Sequence, residues 1–197
     1  MSFGGGERFR PAAPLIVVAL VGVCIASNRF HGDSRERIGL AAAAFWPTAR
    51  LVAPIAILFA APLFAMGWAK RFWWDWDIAW SFLGYPVWSF AQEYAVLGFV
   101  NNRLEDALGN HRAVVPWLNG LLFSFAHIPN PILMTATFIA GVTFTMIFER
   151  RRHLIPIALA HALIGVGISL AFADVYGVMS VGPGYVHRIG SVAPLRP

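Results

Sequence analysis

The run Trp88-Ser89-Phe90-Ala91-Gln92-Glu93-Tyr94-Ala95-Val96-Leu97-Gly98-Phe99 sets a carboxylate inside an apolar stretch. Nine of the ten acidic residues lie in hydrophilic stretches or at the ends of apolar segments. Glu93 alone has a long apolar run before it and further apolar residues after it. A carboxylate in hydrocarbon is costly, so it normally has a partner or a role.

The surrounding composition says what kind of molecule holds that carboxylate. Of 197 residues, 58% are hydrophobic and 13% charged, and the mean hydropathy is +0.63. A soluble domain carries about 25% charged residues. The apolar residues collect in runs close to the ~20 residues that a membrane helix needs. The fold expected is all-α: a polytopic transmembrane helical bundle. A β-barrel would show short alternating segments instead. The net charge of +5 does not indicate nucleic acid, because the basic residues sit in short loops between apolar runs, where they set topology. Cys24 is the single cysteine, which excludes a disulfide framework and a thiolate metal site.

About six spans are expected, near residues 11–27, 47–69, 78–100, 114–128, 132–148 and 154–173. The first is read as a retained helix rather than a signal peptide, because further apolar runs follow it. Three regions result: 1–77 with a lead, two spans and a Trp-rich turn, 78–173 with a four-helix core, and 174–197 as a Gly/Pro-rich surface tail. Arg150, Arg151 and Arg152 follow the fifth span, whereas Pro129-Asn130-Pro131 between the fourth and fifth has no charge. By the positive-inside rule, the loops after spans one, three and five are cytoplasmic.

Two histidines share the apolar interior with Glu93. His127 ends the fourth span in Phe123-Ser124-Phe125-Ala126-His127, and His161 lies in Ala160-His161-Ala162 of the sixth. At ~1.5 Å per residue, Glu93 and His161 each lie roughly 10 Å from the cytoplasmic ends of their spans. His127 joins them if its short span tilts. A carboxylate and two imidazoles suit two chemistries. They offer three ligands for zinc with an open water position. Alternatively, Glu93 acts as general base on a water while His127 and His161 stabilise an oxyanion. A hydrogen-bonded helix contact is the plain alternative.

The three motifs resemble those of the CPBP family of intramembrane proteases, also called the Abi or CAAX-protease family. Its pattern is Glu-Glu-x-x-x-Arg, then Phe-x-x-x-His, then His-x-x-x-Asn or -Asp. The matching stretches here are Gln92-Glu93 to Leu97, Phe123 to His127, and His161 to Gly165, across about residues 80–173. The resemblance implies an endopeptidase acting on a peptide or protein near the cytoplasmic face, in a bacterial inner membrane. Three positions depart: Gln92 stands for the first Glu, Leu97 for the Arg, and Gly165 for the Asn or Asp. Gln92 cannot accept a proton, and Gly165 offers no side-chain donor to an oxyanion. These departures support a rival expectation, a catalytically silent relative serving as a structural, assembly or immunity subunit of a membrane complex.

Further expectations concern other polar residues. Asn101, Asn102 and Arg103 read as a solvated helix end, and the arginines 150–152 as a topology signal. Asn119, two turns before His127, is placed to orient it. Thr135, Thr137, Thr143 and Thr145 with Gly141 suit close helix packing.

Overall fold

A computed structural model describes residues 12–69, 76–172, 179, 181–182 and 184–186; side chains are described from residue 15 in the first helix and from residue 82 in the third. The described structure is helical, with no strand among those residues. Its helices are α1 (Ala12–Phe30), α2 (Phe45–Ala69), α3 (Trp76–Glu93), α4 (Asn101–Leu108), α5 (Val115–Phe125), α6 (Pro131–Arg150) and α7 (Leu154–Ala171). A π-helical segment, Tyr94–Val100, joins α3 to α4 without a break.

Local chemistry sets several helix starts. Asn130 caps α6 by accepting a hydrogen bond from the Leu133 amide at 3.2 Å, and Pro131 follows in the first turn. Proline suits that position because its missing N–H would have no helical partner. His153 caps α7, its Nδ1 accepting from the Ile155 amide at 3.3 Å. Pro54 and Pro62 lie within α2, and Pro86 within α3.

Helix α7 is the centre of the bundle. It packs on α2 and α3, while α5 and α6 form a second tight pair. Small residues allow these approaches. A Cβ on Gly167 would stand 3.0 Å from Leu63 Cβ, and one on Gly67 the same distance from Leu170 Cβ. Gly120 and Gly141 bring α5 and α6 together: a Cβ on Gly141 would lie 2.9 Å from the Gly120 Cα. The expected packing role of Gly141 is therefore present.

The outer surface is apolar. Leu15, Val18, Leu58, Leu83 and Val87 are each about two-thirds or more exposed. In water such side chains would form a sticky patch; against lipid tails they are at home. Three helices are long and apolar enough to cross a membrane: Ala42–Ala69, Pro131–Arg150 and Leu154–Ala171. The expected count of six is not reached by that measure among the described residues. Leu15–Phe30 is a shorter apolar helix. Helix α5 has 11 residues, about 16 Å of rise, against a hydrocarbon core of about 30 Å. The molecule is a membrane protein of helical-bundle type.

The residues expected to form a solvated helix end are buried instead. Asn101 and Asn102 are fully enclosed. Asn102 Nδ2 donates to the Gly98 carbonyl at 2.9 Å, and Asn28 of α1 donates to the same carbonyl at 3.0 Å and to the Tyr94 hydroxyl at 3.1 Å. Arg152, expected as a topology signal, grips Glu105 through Nη2 at 2.5 and 2.6 Å. Arg37 pairs with Asp106, and Arg103 with Asp33. Backbone groups loosened by the π segment need donors, and charges leaving water need partners. The polar residues around α4 meet both needs and bind the loop after α1, α4 and the α6–α7 turn into one cap.

Candidate active site

Glu93 closes α3 and is 2% exposed. Directly opposite on α7, His161 Nδ1 lies 2.9 Å from Glu93 Oε1. With the carboxylate ionised, Nδ1 carries the proton and donates it, leaving Nε2 as the free ring nitrogen. The His161 side chain keeps 13% of its surface exposed, so the pair is enclosed but not sealed.

Rings fix the imidazole from three sides. Phe123 meets it edge to face at 5.5 Å between centroids, Tyr85 at 6.3 Å, and Phe144 lies 6.4 Å away in a tilted arrangement. His127 lies beside the same Phe123 ring, at 5.4 Å. Its Nδ1 bonds to the Phe123 carbonyl at 2.8 Å, which leaves its Nε2 free. Of the three expected site residues, Glu93 and His161 are thus in direct contact, while His127 shares the Phe123 ring with His161.

Among the described residues, no three His, Cys, Asp or Glu side chains stand close enough to hold a metal ion.

Residues 71–167 match the family model of type II CAAX prenyl endopeptidase Rce1-like proteins. They form an Rce1-like, CPBP-family domain. No curated protein and no solved structure matches the chain. The Rce1-like domain contains Glu93, His127, His161 and all three departing positions, and its extent agrees closely with the resemblance read from the motifs.

Each departure has a structural setting. Gln92 is half-buried, while its neighbour Glu93 turns toward His161. The π segment begins immediately after Glu93. Its wider turn breaks the 100° count that relates neighbouring α-helical residues, and such insertions are frequent at functional sites. Leu97, at the family's Arg position, is fully buried among Phe148, Leu154 and Ile157. Gly165 faces Tyr85: a Cβ at 165 would lie 2.6 Å from the phenolic oxygen and 2.5 Å from Cε1.

Asn119 does not orient His127. Its Nδ2 donates to Asn101 Oδ1 at 3.0 Å, and Asn101 in turn donates to Glu105 Oε1 at 3.0 Å. The helical face it shares with His127 was less decisive than the uncommitted acceptor offered by Asn101. Sequence reading also missed Tyr85 and Ser89. Their signal was the spacing Tyr85, Ser89, Glu93, four residues apart on one helix face.

A cavity of about 880 Å³ carries Arg50, Arg150 and Arg151 at its edge and lies away from the dyad. It belongs to the arginine-rich ends of α2 and α6 and takes no part in the proposed chemistry.

Proposed function

We propose that the chain is an intramembrane endopeptidase that hydrolyses a peptide bond in a peptide or protein substrate near the cytoplasmic face of a bacterial inner membrane. The observation that carries the reading is the 2.9 Å contact between Glu93 and His161, buried in a helical bundle within an Rce1-like domain. An ionised carboxylate bonded to Nδ1 fixes the tautomer and supports positive charge on the ring, so Nε2 can accept a proton. In the reaction, the dyad takes a proton from water and the oxygen attacks the peptide carbonyl carbon. The tetrahedral intermediate collapses as the C–N bond breaks, and the proton passes to the departing amine. His127 donates Nδ1–H to the Phe123 carbonyl, so its Nε2 is an acceptor beside the shared Phe123 ring and helps to hold the attacking water.

The experiment compares peptides released in membranes carrying wild type, Glu93→Gln or His161→Ala, read by proteome-wide identification of new chain termini. General acid–base groups contribute roughly 10²–10⁴-fold in rate, so each variant should lose the products specific to wild type. Identical termini in all three would remove the endopeptidase. The second reading, a silent relative acting as a subunit of a membrane complex, is favoured by Leu97 and Gly165, where the family's Arg and Asn or Asp are replaced. It predicts unchanged termini, together with loss of a co-purifying complex on deletion.

A further inference from the structure

An oxyanion forming in an apolar bundle needs a donor already aimed at it, because no water can reorganise to serve. Gly165 offers no side chain for the purpose, but the space at that position is not empty. The phenol of Tyr85 fills it, with its oxygen 2.6 Å from where a Cβ at 165 would stand. The same ring meets His161 edge to face, so it reaches from α3 across to the dyad's side of α7.

Tyr85 is uncommitted. Its side chain is half-buried and its hydroxyl has no hydrogen-bond partner among the described residues, although a tyrosine O–H drawn into a protein usually finds one. Ser89, one turn nearer Glu93, is fully buried and its hydroxyl is also unpartnered. Helix α3 therefore carries two unused donors in line with Glu93, on the face that packs against His161 and Gly165. Tyr85 is the one that meets the imidazole ring.

We propose that the Tyr85 hydroxyl is the oxyanion donor of this site, supplied by α3 at the position where α7 has only Gly165. It donates a hydrogen bond to the carbonyl oxygen of the scissile peptide as that oxygen gains negative charge. The phenol keeps its proton throughout, and no bond to it is made or broken. This inference rests on the endopeptidase reading.

The test uses full-length protein in proteoliposomes with an internally quenched peptide that spans a wild-type-specific cleavage point found by the terminus comparison, comparing wild type, Glu93→Gln, Tyr85→Phe, Tyr85→Ala, Gly165→Asn and the double variant Tyr85→Ala with Gly165→Asn. Phenylalanine keeps the ring and its packing and removes only the donor. Tyr85→Phe should lower kcat by about 10²–10³-fold, as loss of one oxyanion donor does, with KM changed less than about threefold. Gly165→Asn alone should be impaired by its clash with the phenol. The double variant, in which the asparagine amide enters the vacated volume, should recover about tenfold or more over Tyr85→Ala. If Glu93→Gln is inactive while Tyr85→Phe retains wild-type kcat, the donor role is overturned and the endopeptidase stands. If wild type does not turn the peptide over, or if Glu93→Gln equals wild type, the endopeptidase reading falls and this inference with it.

Discussion

At the scale of single residues, the chemistry depends on small differences in orientation. Glu93 and Gln92 are adjacent, yet only Glu93 meets His161. His153 shows the same dependence at a helix end. Its Nδ1 must stay unprotonated to accept the Ile155 amide, and Phe45 stacks edge to face on its ring at 5.3 Å. Burial holds its pKa below the ordinary histidine value. The unfolded chain therefore takes up a proton first as pH falls. The contribution of His153 to stability is complete above about pH 6.5 and declines as pH drops below it. His153→Asn keeps a good helix cap without a titrating group. In micelles, its melting temperature should vary less than that of wild type between pH 7 and pH 5.5.

At the scale of elements, close approach of helices depends on what is missing from the side chains. A Cβ on Gly120 would stand 2.6 Å from Val142 Cγ2 and 3.0 Å from the Phe138 carbonyl oxygen. The side chain can yield a little; the helix backbone cannot. Gly120→Ala should cost about 1–3 kcal/mol through overpacking and separate α5 from α6, measured by thermal unfolding in micelles. Because α5 carries Phe123, which packs on both histidines, the same variant should also lower hydrolysis. An unchanged melting temperature would show that this helix pair is looser than its geometry indicates.

At the scale of the whole molecule, the polar cap around α4 closes one end of the bundle. Glu105 receives both oxygens' worth of contact from Arg152 and a third bond from Asn101. Removing one partner of such an enclosed pair leaves the other charge without compensation. Glu105→Ala should destabilise the protein by about 3 kcal/mol, and the double variant Glu105→Ala with Arg152→Ala should be less unstable than the two single losses added together. Additive losses in that cycle would show that the pair is not coupled. Because Asn101 also holds Asn119 of α5, loosening the cap should reach the helix that carries Phe123.

Much of this architecture was legible in the sequence because hydrophobic runs and isolated polar residues act locally. Long apolar segments dictated a helical membrane bundle, since a backbone in lipid must satisfy its own hydrogen bonds. The rarity of Glu93, His127 and His161 within those segments marked the candidate site. Spacing also hinted that α5 was short. What tertiary structure decided was pairing and direction. Whether Glu93 or Gln92 faces α7 depends on how α3 is rotated at its junction with the π segment, and no count of residues shows that junction. Asn101, Asn102 and Arg152 looked like water-facing ends because each also has a partner far along the chain: Asn119 for Asn101, Arg37 and Arg152 for Asn102, and Glu105 for Arg152. Tyr85 and Gly165 acquire a joint meaning only when α3 and α7 touch. The sequence by itself determined which groups would be costly in a membrane. Only the folded bundle decided which of them answer one another, because that depends on contacts between helices distant in the chain.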